Sequence, residues 1–235
     1  MSRRLATGGN APCTTATPPR REDAGSGRVV PPLHDQLAAI RACRICREAE
    51  RPLPHEPRPI FQVSPRARLV VASQAPGNRA HVAGIPFHDP SGVRLRAWMG
   101  VDEATFYDPD LIAIIPMGFC FPGYDGKGGD LPPRRECAAR WHDDLFAAMP
   151  QLALVLCIGK HSLSYHLPQT LRRSLTDTVR DWREIVAATA PRTVIALPHP
   201  SWRNNAWIRN NPWFEAELLP ELRSRVAAAL VRQRS

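Results

Sequence analysis

Two loops in the first half of the chain combine small residues, an aromatic ring and a carboxylate in a pattern that suits a ligand site. Residues 73–77 read Ser-Gln-Ala-Pro-Gly, and residues 84–92 read Gly-Ile-Pro-Phe-His-Asp-Pro-Ser-Gly. A turn of small residues lets backbone N–H groups approach a ligand closely. Phe87 offers a flat face for stacking on a planar ring such as a base, and Asp89 adds a carboxylate. The alternative is that Phe87 is a core residue and Asp89 caps the following helix.

A third loop brings together a histidine, a tryptophan and an arginine. Residues 197–205 read Leu-Pro-His-Pro-Ser-Trp-Arg-Asn-Asn. His199 lies between two prolines, which hold it rigidly on a loop and argue against a core position. Trp202 and Arg203 follow, and an apolar wedge beside a cation is what a loop that penetrates duplex DNA needs. The alternative is a surface turn with a packed tryptophan.

Four of the six cysteines have a spacing that suits a metal ion or an iron–sulfur cluster. Cys43 and Cys46 form a C-x2-C pair, and Cys120 and Cys137 are separated by sixteen residues. Two close thiolates and two distant ones can enclose either kind of centre, and spacing alone does not choose between zinc and iron–sulfur. The alternative is an incidental pair with two packing residues. Cys157 lies in an apolar run and is predicted to be a core residue.

The elements that position these groups follow from the apolar pattern. Four short runs rich in Val, Ile and Leu are typical of buried parallel strands, at residues 69–72, 111–115, 152–158 and 193–197. Helical patterns cover residues 34–46, 92–99, 133–149 and 160–167, and a last helix follows Asn211 as its cap and Pro212 in its first turn. This alternation predicts a three-layer α/β/α domain with a central, mainly parallel four-stranded sheet.

Such a sheet also predicts where the candidate groups meet. Ligands of open parallel sheets bind beyond the carboxyl ends of the strands. The unusual loops, residues 73–92, 120–133 and 198–205, all follow predicted strands. We therefore expect these loops to converge on one site.

Composition indicates one domain with a polyanionic partner. The chain has 235 residues, a net charge of +9 and 43% hydrophobic residues, enough for one core over residues 33–235. Residues 1–32, rich in Pro, Thr, Gly and Arg, are predicted to form a disordered tail. The positive charge favours nucleic acid, although it is nearly all arginine, which genome composition also produces. The sequence shows no secretory signal or membrane span, so a cytoplasmic protein without disulfides is expected.

The ordered set of these motifs resembles the uracil-DNA glycosylase superfamily. The first loop, the Phe-His-Asp-Pro-Ser-Gly segment, the cysteines and the His-Pro-Ser loop occur in the order seen in its iron–sulfur branches, the fourth and fifth families. The resemblance covers roughly residues 33–232, and residues 114–120 are typical of a proteobacterial subgroup. It implies a 4Fe–4S cluster, with zinc as the alternative, held by Cys43, Cys46, Cys120 and Cys137.

The resemblance also implies a reaction and its groups. It implies a monofunctional glycosylase that hydrolyses the N-glycosidic bond of uracil, or of other deaminated or damaged bases, in DNA and so initiates base excision repair. Fourth-family members carry Glu where this chain has Gln74, and the fifth-family catalytic Asp lies in a D-x-S-G motif that matches residues 89–92. Asp89 is thus expected to stabilise the oxocarbenium-like sugar cation, His199 the leaving base, and Gln74 to position water or base.

Substrate binding is expected from residues around these groups. Phe87 should hold the flipped base, and Trp202 and Arg203 should press into the gap. The full expected set is Ala75, Pro76, Gly77, Asn78, Phe87, Ser201, Trp202, Arg203 and Asn204. The position of the family's uracil-reading Asn is Pro116, so backbone groups or another side chain, with Asn78 a candidate, must read the base.

The expected partner is DNA containing uracil or a related damaged base, bound by a monomer that does not bind membranes. A lyase step needs an amine, and neither lysine, Lys127 or Lys160, lies in the two catalytic loops, so the enzyme is expected to be monofunctional. The alternatives are a zinc-stabilised DNA-binding domain without catalysis, a catalytically weak superfamily member or one that traps DNA covalently through His81, and a hydrolase of free nucleosides.

Overall fold

The structure, a computed structural model, describes residues 30–231. Nearly all of the predicted tail, residues 1–32, therefore lies outside the described residues. Within them, no helix is both long enough and apolar enough to cross a membrane.

The centre of the molecule is a four-stranded sheet in which every pair of neighbouring strands is parallel. The strands are β1 (Leu69–Ala72), β2 (Ile112–Ile114), β3 (Leu154–Ile158) and β4 (Thr193–Leu197). Their order across the sheet is β2-β1-β3-β4. Apart from Thr193, every strand residue is buried, which explains why these runs are apolar throughout instead of alternating.

Helices flank the sheet and connect its strands. They are α1 (Leu33–Arg41), α2 (Asn78–Ala83), α3 (Pro90–Met99), α4 (Glu103–Phe106), α5 (Arg135–Ala147), α6 (Gly159–His166), α7 (Leu175–Arg180), α8 (Trp182–Ala188), α9 (Asn205–Asn210) and α10 (Leu219–Leu230). Helix α10 packs against α3, β1 and β3, whereas α7 and α8 pack against β4. The predicted α/β/α architecture with a parallel sheet is confirmed.

Three local predictions are wrong. The helix predicted over residues 34–46 ends at Arg41, and a separate 3-10 turn, Ile45–Arg47, carries Cys46. The strand predicted over residues 152–158 starts two residues later, at Leu154. Asn211 does not cap the last helix: its side chain donates to the Trp207 carbonyl at 2.8 Å and accepts from the Trp213 indole N–H at 3.2 Å.

Candidate active site

The loops after β1, β2 and β4 meet at the carboxyl edge of the sheet and enclose a cavity of about 660 Å³. Backbone hydrogen bonds join the first two loops, from Met117 N–H to the Ser73 carbonyl at 2.8 Å and from Gly118 N–H to the Gln74 carbonyl at 3.0 Å. All but one of the residues expected to act in catalysis or substrate binding line this cavity: Gln74, Ala75, Pro76, Gly77, Asn78, Phe87, Asp89, His199, Ser201, Trp202 and Arg203.

Phe87 is held in an unusual backbone conformation beside the cavity. Its φ of +55° is the one positive value among the non-glycine residues that the structure describes. The Tyr107 hydroxyl fixes the preceding turn by donating to the Pro86 carbonyl at 3.0 Å. A Cβ on Gly92 would lie 1.9 Å from the Phe87 carbonyl oxygen, so this close approach requires glycine. The half-buried Phe87 ring packs edge-on against Phe106 and also lines the cavity.

Asp89 both caps a helix and faces the cavity. Its Oδ1 accepts a hydrogen bond from Gly92 N–H at 2.9 Å, and Pro90 occupies the first turn of α3. The capping interpretation from the sequence is therefore correct, but it does not exclude a ligand-binding role, because Asp89 also lines the cavity. Its Oδ2 takes no hydrogen bond from any residue within 30–231 and stays open to a ligand.

His199 is a partly buried imidazole beside Asp89. Burial lowers the pKa of His199, the Arg203 charge lowers it further, and the Asp89 carboxylate opposes both. The imidazole is therefore neutral at neutral pH and offers an N–H donor without a positive charge.

Two side chains brace the loop that carries His199. Asn204 donates from Nδ2 to the His199 carbonyl at 2.7 Å. Arg94, on α3, donates to the Ser201 carbonyl at 3.1 Å and to the Asn205 side chain at 2.8 Å. Asn204 is the one expected substrate-binding residue that does not line the cavity, and its contacts make it a loop brace. Arg94 lines the cavity and was missed in the sequence.

The rim of the cavity is aromatic and basic. Trp202 is 72% exposed, so the packed-tryptophan alternative does not hold. The Arg203 guanidinium lies 5.7 Å from the centre of the Trp202 ring, and both residues belong to a single 3-10 turn. Arg79 also lines the cavity. An exposed ring beside cations at the mouth of a cavity suits a nucleic acid ligand.

Comparison with known protein families gives a match over most of the chain. A family model described as the uracil DNA glycosylase superfamily matches residues 60–223, more than half of the chain. The chain belongs to the uracil DNA glycosylase superfamily. The matched region contains all three loops of the cavity of this superfamily member, and it starts after Cys43 and Cys46. Membership supports a DNA glycosylase type of function, and members of the superfamily act on DNA.

The loop after β2 contains a hairpin that was not predicted from the sequence. Leu131 N–H donates to the Gly123 carbonyl at 2.9 Å, and Tyr124 and Asp130 form an isolated antiparallel bridge. Tyr124 and Asp130 line the cavity. Gln74 Nε2 donates to the Leu131 carbonyl at 3.4 Å and so links the first loop to the hairpin. The Asp-Gly-Lys-Gly-Gly run at its tip is the signal that predicts such a turn.

The four candidate ligand cysteines of this superfamily member line a second, smaller cavity as free thiols. Burial, together with the smaller effect of the neighbouring thiols, raises the pKa of Cys120 and of Cys137 to about 12. Phe119 N–H donates to the Cys137 sulfur at 3.4 Å. Within residues 30–231, no group of three His, Cys, Asp or Glu side chains is arranged to hold a single metal ion. Cys157 is buried in β3, as predicted.

His81 is the residue that the covalent-trapping alternative requires to react with DNA. It does not line the large cavity. Its ring lies 4.1 Å from the His55 ring and 5.9 Å from the Phe121 ring, measured between centroids. Burial is the main cause of its lowered pKa. A nucleophile must reach the reacting atom, so this placement argues against the trapping alternative.

Proposed function

We propose that the protein hydrolyses the N-glycosidic bond of uracil, or of a related deaminated base, in DNA and so starts base excision repair. One observation carries this proposal: a single cavity brings together the Asp89 carboxylate, the neutral His199 imidazole and the Phe87 ring. A protein that only binds DNA gains nothing from a carboxylate in its binding cavity, because the carboxylate repels the DNA phosphates. A cavity of about 660 Å³ beside the exposed Trp202 has room for a nucleotide that has left the duplex.

The reaction follows from these placements. The target base stacks on Phe87 while Trp202 fills the gap in the duplex. As the glycosidic bond lengthens, positive charge grows on the sugar, and the free Oδ2 of Asp89 stabilises it. The base departs with the electron pair of the bond, and the His199 N–H donates to the oxygen where the negative charge collects. The two braces on this loop hold the imidazole in place for that contact.

Base recognition is proposed to be broader than uracil alone. Pro116 offers no side-chain amide, and its carbonyl accepts a hydrogen bond from His142 Nε2 at 3.0 Å. Burial lowers the pKa of His142 to about 4, so this donor is a neutral imidazole. Among the described residues, the amides that line the cavity are Gln74 and Asn78. A site with so few fixed readers of the Watson–Crick edge accepts several deaminated bases.

The test is an excision assay with the full chain. Oligonucleotides bearing uracil, hypoxanthine, xanthine or ethenocytosine, single- and double-stranded, are scored for alkali-labile abasic sites. We expect cleavage at uracil and at one or more of the other deaminated bases. Damage-dependent DNA binding without abasic sites would favour the DNA-binding alternative, and release of base from free deoxyuridine at the same rate would favour a nucleoside hydrolase.

We also propose that Cys43, Cys46, Cys120 and Cys137 hold a 4Fe–4S cluster, which cross-links distant parts of the chain. The donor set fits, because four thiols face one cavity with no carboxylate or imidazole among its lining residues. Zinc, the alternative, would require the four sulfur atoms to lie about 2.3 Å from one centre. A cluster accepts thiols that lie farther apart.

The enzyme is further proposed to be monofunctional. Lys127 lies at the tip of the hairpin and Lys160 on α6, and neither lines the cavity. Strand cleavage through a Schiff base needs an amine at the sugar. Borohydride treatment during the reaction is therefore expected to trap no protein–DNA adduct, and an adduct mapped to either lysine would contradict this.

A further inference from the structure

A second carboxylate, Asp130, lines the active-site cavity. The hairpin of residues 123–131 carries it, and Tyr124 lies opposite as its antiparallel partner. Its Oδ2 lies 3.7 Å from the position that a Cβ on Gly77 would take. The carboxyl group of Asp130 therefore lies close to Gly77, in the loop that also carries Gln74.

Among the described residues, the side chain of Asp130 has no partner that would give it a role in holding the fold. Asp89 uses one oxygen to cap α3, and Asp125 accepts from Lys127 N–H and Gly129 N–H, each at 2.8 Å, which fixes the hairpin tip. The Asp130 carboxyl takes part in no hydrogen bond or ion pair within residues 30–231. A carboxylate that faces a cavity and stabilises no local structure is a candidate for a substrate contact.

The surroundings make Asp130 a better proton acceptor than an ordinary aspartate. Burial against the neighbouring loops is the main cause of its raised pKa, and the negative charges of Asp89 and Asp125 raise it further. The charge of Arg203, which lines the same cavity, opposes this shift. A base whose pKa is raised toward the working pH takes a proton more readily.

We propose that Asp130 is a second catalytic residue of this site, the group that accepts the proton of the water attacking C1′ of the sugar. This role rests on the proposed glycosylase function. The water oxygen bonds to C1′, the N-glycosidic bond breaks with its electron pair on the leaving base, and the water proton moves to the Asp130 carboxylate. Asp130 then releases the proton to solvent. Asp89 is left to stabilise the sugar cation, with one of its oxygens held by Gly92.

The experiment compares Asp130→Asn with the matched control Asp125→Asn. Both remove one negative charge from the same hairpin, and the asparagine side chain of the control keeps an oxygen that accepts the two tip N–H groups. In single-turnover excision of the preferred base, we expect Asp130→Asn to slow the reaction about a hundredfold or more, and Asp125→Asn to stay near the wild-type rate. Binding to DNA with an uncleavable target nucleotide should not weaken in either variant.

Two further readouts separate proton transfer from structure. The wild-type rate should fall as pH falls through the raised pKa of Asp130, because the protonated acid cannot accept a proton, and Asp130→Asn should lose that step. In Asp130→Ala, formate or azide should restore part of the rate by acting as an external base. Thermal melting establishes that each variant is folded.

The outcomes distinguish the two proposals. A wild-type protein that excises none of the bases would overturn the glycosylase function and this role with it. An active wild type with an equally active Asp130→Asn and an unchanged pH profile would overturn only the role of Asp130. Equal losses in Asp130→Asn and Asp125→Asn would assign the effect to hairpin charge and would also reject it.

Discussion

Asp89 uses its two carboxylate oxygens for different purposes, one for the fold and one for the cavity. The Oδ1 bond to Gly92 N–H fixes the start of α3, whereas Oδ2 takes no hydrogen bond from residues 30–231. A substitution that removes the whole side chain therefore disturbs both functions at once. Only an isosteric change separates them.

We predict that Asp89→Asn slows excision by about two to three powers of ten, the usual scale for losing one electrostatic contact to a transition state. The melting temperature should hardly change, since Asn caps helices as well as Asp does. Asp102→Asn is the matched control: Asp102 caps α4 through Thr105 N–H at 2.7 Å but lies outside the cavity. A fully active Asp89→Asn together with an inactive Gln74→Ala would move the catalytic role to Gln74.

The lowered pKa of His199 has a kinetic consequence. Below that pKa the imidazole gains a proton, and above it the ring stays neutral, so no change in rate is expected near the ordinary histidine value of 6.5. We predict that His199→Ala reduces excision about a hundredfold, while His199→Gln, which keeps an N–H donor, retains more activity. Single-turnover rates between pH 5 and 9 measure this. An inflection near 6.5 that disappears in His199→Gln would show a charged imidazole instead.

At the scale of elements, the four candidate ligand cysteines tie together parts of the chain that are far apart in sequence. Cys46 lies in the 3-10 turn after α1, Cys120 in the loop after β2, and Cys137 in the first turn of α5. A centre bound there would fix the path of residues 43–60 over the hairpin loop. Its binding energy would then add to the stability of the fold.

We therefore predict that serine at any one of Cys43, Cys46, Cys120 or Cys137 lowers both the iron content and the melting temperature. Iron and sulfide analysis, visible absorption of anaerobically purified protein and thermal melting measure the effect. Cys157→Ala is the control, because Cys157 lies in β3, and it should keep its iron. One zinc and no iron in the wild type would reject the iron–sulfur proposal.

The strands were the most predictable elements. Parallel strands that are buried on both faces must be continuous apolar runs, so β1 and β4 match their predicted bounds. The predicted strand at 152–158 began too early, because Leu152 N–H bonds to the Met149 carbonyl in the turn after α5. Helices of four to seven residues, such as α2 and α4, escaped prediction because they are too short to show a helical period.

The lining residues of the cavity that lie in a short sequence motif could be predicted. Those that reach the cavity only through contacts between distant parts of the chain could not. Phe87, Asp89 and His199 lie in short motifs that are recognisable along the chain. Arg94 lies in the middle of a helix and reaches Ser201, 107 residues later, through tertiary contacts alone. Asp130 likewise depends on the fold of a hairpin whose direction its sequence does not specify.

At the scale of the whole molecule, part of the net charge of +9 lies in and near the cavity. Arg79 and Arg203 line the cavity, and the exposed Arg209 follows on α9. Arginines in and beside the cavity raise the local concentration of a polyanion and release its counterions on binding. This positive charge is therefore expected to act in substrate binding, beyond any bias of composition.

We predict that the logarithm of DNA affinity falls linearly with the logarithm of salt concentration, and that Arg203→Ala reduces the slope by about one. Fluorescence anisotropy of a labelled oligonucleotide over a range of salt concentrations measures the slope. Arg192→Ala, at an exposed turn before β4 and outside the cavity, is the control and should leave it unchanged. An affinity that ignores salt would show that the arginines do not contact phosphates.

The position of β4 at the edge of the sheet has a consequence for inactivation by heat. Strand β4 pairs with β3 alone, whereas β1 pairs with a strand on each side. The loop that begins with Pro198 follows directly after β4. Local opening of an edge costs less free energy than global unfolding. If β4 separates from β3, the loop that follows it loses its position, and His199, Trp202 and Arg203 leave the cavity. The remaining three strands stay paired. Excision should then cease a few degrees below the loss of helical circular dichroism, and cooling should restore it at once.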